Sequence, residues 1–220
     1  QAGLNTLGMT LTGIGAVTVA GLGSAIKTFS GFEEQMKNVQ SVMQGSQKDY
    51  EILSEYAKTL GKDTVFSSRE AAQALYYLAS AGLSVSDQMK VANSVLQVAT
   101  ATQYVLSRSA DLVITTMNAF RLDVTDAGRV VDVFAKSSAL GQLNMERLSY
   151  ALPLAASKAN ELGWSLEQTV SWLGLLVDSG LRSEMAGARL RDMLNELLNP
   201  SAKAKEALAM AQAKLVENPE

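Results

Sequence analysis

From Phe29 onward the chain carries one periodicity. Phe32, Met36, Val39 and Met43 recur at spacings of three and four, which sets them on one face of a helix. Ile52, Leu53, Tyr56, Ala57 and Leu60 continue the pattern from Ser46, and Gly61 reads as its stop. Leu106, Ala110, Val113, Ile114, Met117 and Phe120 make a further stripe. Thr125 or Asp126 is placed to cap a helix carrying Val130, Val133, Phe134 and Ser137. Asn144 is placed to cap one carrying Leu148, Leu152, Ala155 and Ala159, ending near Gly163. No segment sustains the period-two alternation of a half-buried strand. The sequence therefore predicts an all-α fold. It is a multi-helix bundle, or an array of capped helical hairpins, of about eight or nine helices with no sheet.

Two capping boxes are the sharpest local signals. Ser67-Ser68-Arg69-Glu70 and Ser165-Leu166-Glu167-Gln168 both place a Ser three residues before Glu or Gln, at the head of an apolar run. The hydroxyl can accept from the third backbone N–H while the longer side chain returns to the cap's own N–H. Each helix then runs to a Gly-Leu pair, Gly82-Leu83 or Gly180-Leu181. There glycine can turn left-handed and the leucine can fold back on the last turn. The copies align without a gap at an offset of 98 residues. Leu75, Leu78 and Leu96 recur as Leu173, Leu176 and Leu194, and apolar character persists at Ala72/Val170, Ala79/Val177, Ala92/Leu190, Val95/Met193 and Ala99/Leu197. This is a weak duplication, or one physical solution used twice. Either way each hairpin needs neighbours to cover its apolar face.

Composition narrows the chemistry. With no His and no Cys, a Ser-His-Asp triad, a thiol nucleophile, a disulfide framework and an imidazole or thiolate zinc site are excluded. Glu33 and Glu34 are adjacent, about 100° apart on a helix, and do not converge on a substrate. Asp132, among Val130, Val131, Val133 and Phe134, reads as a solvent-facing or capping carboxylate, with partial burial as the alternative. Asp178 reads as a plain helix-end residue. No phosphate-binding glycine loop or EF-hand loop is present. No catalytic residue, metal ligand or cofactor site is expected, and the chain does not read as an enzyme. A net charge of −3 gives no electrostatic case for sequence-specific nucleic-acid binding.

Arg182, Arg189 and Arg191 form the basic cluster of note. Surface pairing with Glu184 and Asp192 is its ordinary reading, and a docking patch for an acidic partner is the functional one. Trp164 and Trp172 read as anchors of the core or of a helix interface. The nine methionines suit adaptable helix packing.

Glycines divide the chain. Six of its sixteen precede Lys27, in a stretch with no charged residue. Residues 1–28 read as an uncharged Gly/Thr-rich apolar lead-in, 29–200 as a helical core, and 201–220 as a C-terminal helical extension leading to further sequence. Residues 1–26 have the length to span a bilayer, but Gly and Thr dilute their hydrophobicity. Packing on a partner is the plainer reading, and membrane contact the alternative.

Residues from about 30 to 200 resemble the core region of phage tail tape measure proteins. The resemblance is carried by Phe32-Glu33-Glu34-Gln35-Met36 with Val39, by Thr64-Val65-Phe66-Ser67 and Glu70-Ala71-Ala72, and by Leu78-Ala79-Ser80-Ala81-Gly82-Leu83. Leu96, Ala99, Ala101 and Val131-Asp132-Val133 follow. Gly163-Trp164-Ser165-Leu166-Glu167, Gly180-Leu181-Arg182-Ser183, Ala186-Gly187, Leu190-Arg191 and Pro200 complete it. Two departures stand out: Ala188 where the family has Thr after Ala-Gly, and the absence of the long heptad segments that set tail length. The chain is then one region of such a protein, with the ruler outside it.

The resemblance implies a virion structural protein in the tail lumen, present in host cytoplasm during assembly. Its implied partners are the tail tube protein, tail tip or baseplate hub proteins and tail assembly chaperones. It also implies a homo-oligomer, a trimer among the options, and a role in tube assembly, tail length and genome passage through the host envelope. Residues 1–26 would supply any membrane contact. Two other readings fit the residues alone: a membrane-active or secreted helical protein, and a helical-repeat adaptor.

Overall fold

A computed structural model describes residues 31–206 and 209–210. Among these residues every regular element is helical, as the periodicity predicts. Helix α1 covers residues 31–42. It is followed by α2 (Gln47–Asp63), α3 (Ser68–Ser80), α4 (Val85–Thr102) and α5 (Leu106–Phe120). A 3-10 turn over Val124–Asp126 leads into α6 (Ala127–Leu140), α7 (Met145–Glu161), α8 (Leu166–Asp178) and α9 (Ser183–Leu198). A short α10 spans 202–206. No helix among the described residues is long and apolar enough to cross a membrane. The lead-in 1–26 lies outside the described residues.

The chain forms two compact units, one ending at Met89 and the other starting at Lys90, so the division falls inside α4. In the first unit α2 packs on α3. Phe32, Met36 and Val39 of α1, Leu53 and Ala57 of α2, and Leu75 and Leu78 of α3 are all buried. Gly61 does not stop α2. The helix runs two residues further, to Asp63, and Gly61 sits where a Cβ would collide with the backbone of Ser68. It is required for its missing side chain, and Thr64 ends the helix in extended conformation.

In the second unit α7 is the hub, packed by α5, α8 and α9, while α6 packs on α8. Leu148, Leu152, Ala155 and Ala159 of α7 are fully buried, as their spacing predicts. The α7–α9 seam is built from small residues. A Cβ at position 187 would fall on the Ala151 carbonyl oxygen and stand 2.9 Å from the Ala151 Cα. Only glycine lets the two backbones come this close. Ala186, next to it, is fully buried. Pro153 lies within α7 on its exposed face, and the helix runs on without a backbone donor from that position to the Ser149 carbonyl.

Five helix ends share one terminator. Leu83 N–H donates to the Leu78 carbonyl at 3.4 Å and Gly82 N–H to Ala79 at 2.9 Å. The same pair of bonds recurs around Gly163 and Gly180. All three glycines have positive φ, as the Schellman motif requires. Gln103 and Arg121 end α4 and α5 in the same way with φ of 53°, although neither is a glycine.

Candidate functional site

The two boxed serines begin helices of identical length. At α3 the Glu70 N–H donates to Ser67 Oγ (3.2 Å), and Glu70 Oε2 accepts from the Ser67 N–H (2.8 Å). At α8 the Gln168 N–H donates to Ser165 Oγ (3.2 Å), and Gln168 Oε1 accepts from the Ser165 N–H (2.9 Å). A third box, Ser46 with Asp49, opens α2. Asp126 holds the N-cap position of α6, as the sequence suggested, but the capping bonds are made earlier, at the 3-10 turn. Asp123 and Asp126 close a box over the 3-10 turn, and Asp126 makes no side-chain cap to α6 itself. Asn144 caps α7, accepting from the Arg147 N–H at 2.9 Å.

Tertiary pairing links these caps to the second unit's packing. Arg129 of α6 forms a bidentate pair with Glu167 in the first turn of α8, with Nε–Oε1 and Nη2–Oε2 both at 2.7 Å. The guanidinium hydrogen bonds hold the Glu167 carboxyl down to about 2, against the partial burial that would raise it. The same contact raises Arg129. Asp178 has a specific contact, since its Oδ1 accepts from the Gln142 N–H at 3.2 Å and ties the end of α8 to the α6–α7 loop. Asp132 is exposed.

Between α6 and α8 lies an apolar cleft of about 470 Å³, walled by Val133, Leu140, Leu143, Val170 and Leu175. Leu140 is 86 % exposed and Leu175 62 %. Trp164 and Trp172 stack on each other at 6.0 Å, and Trp172 keeps 44 % of its surface in water. The tryptophans therefore edge the fold and do not fill its core.

A second, more polar cleft of about 400 Å³ opens at the N-terminus of α9, lined by Arg147, Tyr150, Val177, Leu181, Arg182 and Ser183, with Glu146 and Glu184 also on its wall. Here the structure redistributes the basic cluster. Arg191 donates from Nε and Nη2 to Asp192 Oδ1, at 3.1 and 2.9 Å. Arg189 is exposed on α9. Of the three arginines only Arg182 lines the cleft, and it is joined there by Arg147, which the sequence offered no reason to select. Arg147 Nη1 is held by the Gln142 carbonyl (2.9 Å) and Gln142 Oε1 (3.2 Å). Among the described residues no group of three or more acidic side chains is placed to hold a metal ion.

This is the geometry of packed helices with caps, close seams and surface clefts. Residues 54–217 match the family model described as phage-related minor tail protein. The chain belongs to that family. As a phage-related minor tail protein it is 32 % identical over 203 residues to the tape measure protein of Pneumococcus phage Dp-1, which covers 89 % of this chain and 18 % of that protein. It is 31 % identical over 217 residues to the probable tape measure protein of Escherichia phage P2, covering 94 % of this chain and 26 % of the relative. A probable tape measure protein of Clostridium phage phiCD119 is 27 % identical over 207 residues. The chain thus spans about a quarter or less of the length of these relatives. No solved structure matches it.

Proposed function

We propose that the chain is the packing segment of a tape measure protein. It lies in the lumen of the tail tube and scaffolds tube assembly, while the length-setting ruler lies elsewhere in the same polypeptide. The observation that carries this reading is the match to tape measure proteins along nearly the whole chain, at about one-fifth of their length. The small-residue seam of α7 and α9 and the boxed helix starts support it, because a scaffold works through packed helices. Its contribution is structural and no reaction is assigned to it. The tail tube protein, hub proteins and tail assembly chaperones are the proposed partners, with self-association inside the tube. Genome passage and membrane contact belong to this proposal through the uncharged residues 1–26. The net charge of −3 suits a protein that shares a channel with DNA, since the chain as a whole has no net attraction for phosphate.

The test is an in-frame deletion of residues 90–198 in the parent phage, with tails examined by electron microscopy. Loss of tails, or tubes of unregulated length, is the expected result. Well-formed tails, shortened only in proportion to the deleted residues at about 1.5 Å each, would make this segment part of the ruler and contradict the assignment.

A further inference from the structure

We propose that the cleft at the N-terminus of α9 binds the free C-terminal carboxylate of a peptide whose last residue is apolar. Three observations converge. First, α9 is sixteen residues long and its start has no side-chain cap. The first protein bond at this end is Ala186 N–H to the Arg182 carbonyl. The N–H groups of Ser183, Glu184 and Met185 therefore point outward unpaired, and their partial positive charge favours an anion. Second, Ser183 is 7 % exposed and lines the cleft, yet its hydroxyl makes no hydrogen bond. The hydroxyl oxygen itself keeps some accessible surface, so an incoming oxygen would accept from it in place of water. Third, the cleft wall carries two cationic forks. Arg182 makes no ion pair, and Arg147 is anchored through Nη1 alone, which leaves Nε and Nη2 free to donate.

The rest of the lining selects among anions. Glu146 and Glu184 balance the two arginines, so one added negative charge is tolerated better than two. That favours a carboxylate over a phosphate dianion. Val177, Leu181 and the Tyr150 ring supply apolar wall beside the charged end. A C-terminal residue offers this pairing, an apolar side chain on the carbon that bears the carboxylate. Backbone capture of a terminal carboxylate is an established peptide-recognition mode.

The test is titration of the ¹⁵N-labelled 220-residue chain with four probes: acetyl-Ala-Leu free acid, the same peptide as its amide, an amidated peptide with an internal Asp, and inorganic phosphate. The free acid should move the Ser183, Glu184 and Met185 amides saturably, with a Kd of about 1 mM or tighter. The amide should leave them in place, and the other two probes should bind more weakly. Arg182→Gln should weaken the free acid about tenfold and Ser183→Ala about fivefold, with amides distant from α9 unmoved. Equal binding by the amide, tighter binding by phosphate or the Asp peptide, or no response of these amides to the free acid would each overturn the proposal. The wild-type titration decides the matter even if a variant fails to fold.

Discussion

At the 98-residue offset Ser84 stands opposite Arg182, Gln88 opposite Ala186 and Met89 opposite Gly187. The preceding helices, α3 and α8, have the same length, the same kind of box and the same glycine terminator. The hairpins diverge at the second helix. Ser84 Oγ accepts from the Asp87 N–H at 3.2 Å and donates to Asp87 Oδ2 at 2.7 Å, so α4 is closed by its own side chains. Gln88, buried, donates from Nε2 to the Leu83 carbonyl at 2.8 Å and ties its own turn. In the second hairpin the cap is replaced by an arginine, and small residues take the place of Gln and Met. Helix α9 then lies against α7 and its N-terminus stays open to a cleft. The same local signals can thus begin a hairpin that closes on itself or one that docks.

Four substitutions probe this contrast, and the seam carries the largest effect. Gly187→Val should destabilise the second unit by about 3 kcal/mol, because its Cβ meets backbone that cannot turn aside. The opposite position, Met89→Ala, should cost about 1 kcal/mol. Urea unfolding of both variants measures the difference, and equal costs would dissolve the contrast. Next come the boxes. Ser67→Ala and Ser165→Ala should each cost about 1 kcal/mol, matched within a few tenths if the two starts are physically the same. Thermal unfolding of the pair checks this, and a twofold disparity would show that the boxes are not equivalent.

Converting the open helix into the closed one is a smaller and more pointed change. Arg182→Ser with Met185→Asp recreates the Ser84/Asp87 cap and should stabilise by about 0.5–1 kcal/mol, while abolishing carboxylate binding. A neutral or destabilising result would mean the α9 start is already satisfied. The smallest effect is electrostatic. Glu167 has a folded value near 2, below the ordinary carboxylate range. Its contribution is therefore complete above about pH 4.5 and is lost as pH falls toward 2. Arg129 and Glu167 are 45 % and 44 % exposed, so screening limits that contribution to about 1 kcal/mol or less. The difference in Tm between the native chain and Glu167→Gln should shrink through this acid window, and a difference flat with pH would remove the pair from the account.

Much of the architecture was legible because it is local. Boxes at Ser67 and Ser165 and terminators at Gly82, Gly163 and Gly180 depend on residues within one or two turns, and the stripe of α7 ran correctly through Pro153. Gly61 misled because glycine serves two needs, a left-handed turn and a missing Cβ, which look alike in a sequence. Gln103 and Arg121 adopt positive φ without the glycine that would have announced it. The α6 start was placed correctly at Asp126, but its capping bonds were not legible, because a 3-10 turn intervenes and Asp123 closes the box there. At the candidate site, Arg182 was legible as part of a basic cluster, whereas Arg147 was not. The two residues stand 35 apart in sequence, one on α7 and one at the start of α9, and periodicity carries no information on such pairings. The Arg129–Glu167 pair escaped for the same reason. Conserved apolar character also concealed a difference in burial: Val95 and Ala99 are buried, but Met193 and Leu197 opposite them are 38 % and 46 % exposed.

The central claim is that one hairpin closes its second helix with its own side chains while the other leaves its helix start open. Amide hydrogen exchange on the intact chain tests it most directly. The Asp87 amide, bonded to Ser84, should exchange well below its intrinsic rate, while the Ser183, Glu184 and Met185 amides should exchange close to theirs. Comparable protection at the two helix starts would contradict the account.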